Sequence, residues 1–168
     1  SYEIDMKWAN TSNQINIWRM FSSGTMAEGS EMVVLGYDND EADSGTNFWQ
    51  ELGSDALTSQ GDVLTTGTIT AKKYLMNETH QLGDITSGTS ANCDMNMTFN
   101  DTTSGYATTQ SQNGASDTIA TGTAFINGWI GYQDRFSSSV MINVASKDKL
   151  AIGYDCGGIN NYGSDTSP

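Results

Sequence analysis

Tyr2, Ile4, Met6 and Trp8 fall on one face of an extended chain, and Glu3, Asp5 and Lys7 fall on the other. That alternation predicts a half-buried β-strand that starts at residue 2. The same period recurs along the sequence. Ala91, Cys93, Met95, Met97 and Phe99 alternate with Asn92, Asp94, Asn96, Thr98 and Asn100, one face wet and one dry. Phe136, Val140, Ile142 and Val144 make another apolar face, broken only by Ser138, and Leu150, Ile152 and Tyr154 make a third. Ile126, Ile130 and Tyr132 share a face. Ile15 and Ile17 oppose Trp18 and Met20. EMVVLGY (31–37) reads as a more fully buried strand, and DVLTTGTI (62–69) and KYLMNETH (73–80) complete the set.

Between these runs lie turn residues: SSGT, DNDEADSGTN, SQGD, TSGTS, NDTTSG and CGG. About nine strands spaced in this way predict an all-β fold, an antiparallel β-sandwich of jelly-roll-like kind. No segment has a helical period, and the single proline, Pro168, breaks no strand. Residues 100–118 hold one large apolar side chain, Tyr106, and the hairpin dipeptide Asn113-Gly114. They predict a long exposed hairpin or loop, with Tyr106 and Asn113 as ligand contacts. The sharpest change in composition falls at 38–47. It divides the chain into an N-terminal β-unit (1–37), an acidic linker (38–47) and a main sandwich body (48–168).

Composition narrows the function. Seven Lys and Arg face twenty Asp and Glu, a net charge of −13, which disfavours nucleic acid and anionic membrane as partners. No apolar run reaches the ~20 residues of a membrane helix. Only 16% of residues are charged, so this is not a charged disordered tail. The abundance of Thr, Ser, Asn and Gly suits strand faces and turns and favours an extracellular setting. Cys93 and Cys156 make either one disulfide or two buried thiols. Asn10, Asn77, Asn96 and Asn100 begin Asn-x-Ser/Thr sequons.

Catalytic signals are weak. His80 is the lone histidine, at a strand end, and no GxSxG elbow accompanies it. The expectation is a protein that is not an enzyme and needs no cofactor. Calcium is the one candidate ion, because Asp38, Asp40 and Asp43 cluster hard oxygen ligands in the linker. The EF-hand pattern fails there, since Ala42 takes the third ligand position. Trp8, Trp18, Trp49 and Trp129 are candidate sugar platforms or core residues. Lys72-Lys73 and Lys147-Asp148-Lys149 are basic spots that either meet acidic surfaces of a neighbouring copy or face water. Gly157-Gly158 is a turn, with no helix behind it to form a phosphate cradle.

The closing segment GGINNYGSDTSP reads as a loop leading into a strand, so the end of the chain runs on naturally into its beginning. KYLMNETH, MTFNDTTSGYA, INVASKDKLAIG, MKWANTSNQINIW and SEMVVLGYD together resemble segments of β-rich phage and virus structural proteins, virion-associated fibre or coat proteins. In that group the KYL-type strand comes first and the KWANT and VVLGYD strands come last. The resemblance therefore implies a permuted strand order here, in which residues 1–37 complete a sandwich. That sandwich is the chain's own, a neighbour's, or the next repeat's. The function expected is a structural subunit that assembles head-to-tail with copies of itself by strand complementation. Tyr2, Ile4, Met6, Trp8, Ile15 and Ile17 would fill the acceptor groove. The alternative is a glycan-binding adhesion or receptor-binding module.

Overall fold

The structure, a computed structural model, describes residues 2–38, 48–82, 93–112, 116–122, 125–130 and 135–157. For Tyr2, Ser23, 93–95, Gln112, 125–130, Arg135 and 155–157 it describes the backbone alone. These residues form twelve strands and, among them, no helix: β1 (Tyr2–Trp8), β2 (Ile17–Met26), β3 (Glu31–Tyr37), β4 (Gln50–Ala56), β5 (Gly61–Thr68), β6 (Tyr74–Gln81), β7 (Cys93–Phe99), β8 (Tyr106–Gln112), β9 (Thr118–Gly122), β10 (Phe125–Ile130), β11 (Arg135–Ile142) and β12 (Lys149–Gly157). They build two antiparallel sheets, as a β-sandwich requires. One is eight-stranded in the order β4-β3-β6-β11-β12-β1-β8-β9, and the other is four-stranded in the order β10-β7-β2-β5.

Hydrophobic periodicity legibly marks most of these strands. It misses β4, β8 and β9, whose polar residues carry no apolar stripe. Within 100–118 the chain makes a two-residue turn, β8 and then β9. At the turn Asn100 and Asp101 both take positive φ (51° and 53°), the left-handed region that Asn and Asp tolerate best.

The first three strands do not stand apart from the rest. β1 lies between β12 and β8, β2 between β7 and β5, and β3 between β4 and β6. Four of the six residues expected to fill an acceptor groove accordingly line the chain's own core. Ile4, Met6, Trp8 and Ile15 are buried, whereas Ile17 is half-buried and alternates with buried Trp18. An aromatic cluster anchors this part of the core. Trp8 stacks on Tyr106 at 6.0 Å, and Phe99 meets Trp18 edge-on at 4.6 Å.

The crossing from β1 to β2, residues 9–16, is held by side chains standing in for a ladder. Asn143 accepts from the Ile15 N–H at 2.6 Å and donates to the Ile15 and Lys72 carbonyls. Asn100 accepts from the N–H groups of Asn16 and Ile17 and donates to the Gln14 carbonyl. Lys149 is buried and donates to the carbonyls of Asn10, Val144 and Lys147 at 2.7–2.9 Å. A buried polar group is tolerated when its bonds are made, and these are.

Candidate assembly surface

Residues directly opposite one another in an antiparallel sheet share a face, so the pairing register fixes what the outer face of the large sheet presents. Along one row it carries Tyr37, Tyr74, Ile142 and Leu150, ending at Lys7. The next row is Leu35, Met76, Val140 and Ile152, ending at Asp5. A third is Val33, Glu78, Ser138 and Tyr154, ending at Glu3. Phe48 stacks on Tyr37 at 4.0 Å and extends the first row. Ile152 is 62% exposed, and Phe136, Val140, Ile142, Leu150, Tyr154 and Phe48 are exposed with it.

The inner face of the same strands mixes buried apolar residues, Met32, Val34, Leu75 and Met141, with small polar ones. Asn77, Thr79, Gln81, Ser137 and Ser139 are buried there. The hydroxyls of Thr79 and Ser137 hydrogen-bond to each other, and the amides of Asn77 and Gln81 approach the Met20 sulfur of the opposing sheet. Asn77 Oδ1 and Ser139 Oγ are buried without a hydrogen-bond partner. Hydrophobicity alone would turn the β11 and β12 apolar faces inward. The neighbours overrule it. β1 points Ile4, Met6 and Trp8 inward, and its register forces Gly153, Ala151 and Lys149 inward with them. Leu150, Ile152 and Tyr154 are left outside.

The first two rows on four strands make a continuous apolar patch about 20 Å across and about 14 Å long, on the order of 300 Å² at ordinary strand spacings. A patch of that size matches the largest apolar patch of a typical soluble monomer, which is often a functional surface.

The remaining expected sites fare differently. Tyr106 is not a ligand contact. It is 3% exposed and its hydroxyl accepts from the Phe99 N–H at 2.9 Å, so burial and stacking on Trp8 consume it. Burial pushes its phenol above the ordinary pKa of 10, and the bonds to Thr102 and Phe99 pull the other way. Asn113 lies outside the described residues, as do Asp40 and Asp43. Asp38 accepts from the Lys73 N–H at 2.6 Å and sits 3.6 Å from the Lys72 ammonium, which leaves it a poor calcium ligand. Among the described residues no group of three or more His, Cys, Asp or Glu is placed to hold a metal. Cys93 and Cys156 stand on strands of different sheets, and their side chains lie outside the described residues.

Trp8 and Trp18 are fully buried and cannot serve as sugar platforms, while Trp49 is half-buried beside Tyr37. Trp129's side chain is not described. His80 is half-buried and opposes Glu31 and Phe136. Lys149 neither faces water nor reaches a neighbour, and burial lowers its ammonium pKa although Asp148 raises it. The sequon Asn77 is buried, and Asn100 is committed to its three bonds.

On the outer face of the small sheet there is a second concavity, an open cavity of about 270 Å³ lined by Arg19, Phe21, Asp62, Thr98, Asp101 and Thr102. Arg19 already pairs with Asp101 at 2.9 Å across it. Comparison with family models, with curated proteins and with solved structures returned no match to this chain.

Proposed function

We propose that this chain is a non-enzymatic structural subunit that assembles with copies of itself, as in an extracellular filament, a fibre or a virion surface layer. The observation that carries the reading is the apolar outer face of β3, β6, β11 and β12. A second copy fits this face for three reasons. A standard interface covers about 800 Å² on each partner, and the patch with its polar rim is a centre of suitable size. Its two inner rows are uncharged between Tyr37 and Leu150 and between Leu35 and Ile152, so two chains of −13 meet there without opposed charges. A two-fold axis along Leu35–Met76–Val140–Ile152 sets each of those side chains against its own counterpart and carries Lys7 of one copy over Glu3 of the other, while at the rim end of the row Asp5 meets Asp5.

In this reading β1 keeps its place in its own sheet, and copies meet face to face rather than by strand exchange. The glycan-binding alternative has the open Arg19 cavity in its support among the described residues. The test is light scattering over a concentration series, for the chain and for Ile152→Asp. The expected result is association that the variant weakens while its circular dichroism is unchanged. A wild-type chain that stays monomeric up to hundreds of micromolar, or a variant that associates as well as wild type, overturns the proposal.

A further inference from the structure

We infer that the outer edge of β9 is a second contact, where two copies pair their β9 strands antiparallel and continue the eight-stranded sheet across the junction. A sheet edge offers a row of backbone donors and acceptors, and proteins guard such edges with charge, proline, bulges or short, twisted strands. β4 carries Glu51 and Asp55, and its register with β3 breaks between Val34 and Leu35. β5 carries Asp62, and its register with β2 breaks twice. β10 has a register break between Ile126 and Trp129. β9 reads Thr-Ile-Ala-Thr-Gly; its shortness is a guard, but it has no charge and no proline, and it pairs with β8 in unbroken register over all five residues. Among the described residues, no strand lies beyond it.

The occupant follows from charge and pattern. The chain is strongly acidic, so a partner strand of its own kind must oppose no like charges, and β9 against β9 opposes none. Full pairing of five residues centres on Ala120 and sets Ile119 against Thr121 at both ends, a pair of β-branched side chains that suits an antiparallel ladder. Ile119 shares the outer face with Thr109 and Asp5 and is 74% exposed, so the contact covers the most exposed apolar side chain described. The edge contact stands independently of the face contact. Its consequence rests on the proposed face: two different two-fold contacts on one subunit propagate a chain of subunits, where either alone stops at a dimer.

The test is cross-linking in the full chain. Ala120→Cys places two thiols opposite each other across the junction, within disulfide reach. Thr118→Cys leaves its counterparts about 13 Å apart along the strand. Mild oxidation is expected to give a covalent dimer with Ala120→Cys beyond any formed by the parent chain, and none beyond the parent with Thr118→Cys. In negative stain, Ile119→Lys is expected to reduce filaments to face-paired dimers, and Ile152→Asp to leave edge-paired dimers. If Ala120→Cys cross-links no more than the parent, or equally with Thr118→Cys, the edge pairing is wrong. If Ile119→Lys leaves the particle sizes unchanged, it is also wrong. Loss of association with Ile152→Asp in that case still upholds the face. Association that survives Ile152→Asp but yields to Ile119→Lys sinks the face and upholds the edge.

Discussion

β1 and β11 lie in the same sheet with one strand between them, and their polarities are opposite. β1 turns Ile4, Met6 and Trp8 into the core and shows Glu3, Asp5 and Lys7 to water. β11 turns Ser137 and Ser139 inward and shows Phe136, Val140 and Ile142. The interiors beneath them differ accordingly. Below β1 and β8 is a dry aromatic cluster of Trp8, Trp18, Phe99 and Tyr106. Below β6 and β11 hydroxyls and amides, two of whose oxygens have no partner, lie beside buried Leu75 and Met141. Half of the sheet thus behaves as the wall of a finished sandwich. The other half has a mixed interior and carries its exposed apolar side chains on the outer face. The lesson is that a strand cannot choose its inward residues independently of its sheet neighbours. Once β1 fixes the pleat, every neighbour in register inherits it.

The comparison can be broken most severely with one substitution made on both strands. Ile4→Asp buries a carboxylate with no cation beside it and is expected to cost more than about 4 kcal/mol, enough to abolish the cooperative unfolding transition in urea. Val140→Asp, on the outward face, is expected to shift the urea midpoint by less than about 0.5 kcal/mol-equivalent. In sedimentation it is expected to weaken self-association roughly 100-fold, because it sets two carboxylates against each other in the contact. Equal destabilisation by the two would remove the distinction between the faces.

Charge at the rim sharpens the geometry. Lys7→Glu alone is expected to weaken association about tenfold, and adding Glu3→Lys to restore most of it, since the two positions exchange roles across the proposed axis. Failure of the double variant to recover would discard that axis while leaving the face.

The polar interior predicts an inverted sign. Ser139→Ala removes a buried hydroxyl that bonds to nothing and is expected to stabilise the fold by about 1 kcal/mol in chemical denaturation, where a core substitution ordinarily destabilises.

The smallest effect is one of pH and belongs to the aromatic half. Because burial raises the Tyr106 pKa, the folded state holds that proton more tightly than the unfolded state does. Its contribution is complete below pH 10 and is lost as pH rises through the folded value. The Lys149 shift acts in the opposite direction, adding stability as pH rises from its lowered value toward 10.5. Stability profiles of wild type and Tyr106→Phe should therefore diverge above about pH 10, with the variant declining less steeply. Parallel profiles would mean that Tyr106 ionises alike in both states.

Much of the fold is legible in the sequence. Period-2 runs locate nine of the strands, and turn residues mark their ends. β4, β8 and β9 are invisible to that signal because their sheet neighbours, rather than their own apolar content, hold them in place. The candidate site was half legible. The alternation of Lys149-Leu150-Ala151-Ile152-Gly153-Tyr154 names two faces, one with a lysine and one with three large apolar groups, and one of the two had to be anomalous. A lysine fits inside only where backbone carbonyls converge, and those of Asn10, Val144 and Lys147 come from loops distant in sequence or curled back on it.

By itself, then, the sequence determined the class of the fold, the positions of the strong strands and the composition of each strand face, because side-chain alternation is a local property of an extended backbone. Only the tertiary structure decided which face looks inward. That choice belongs to the sheet as a whole, and the register with β1 and β3 settles it against the preference of β11 and β12.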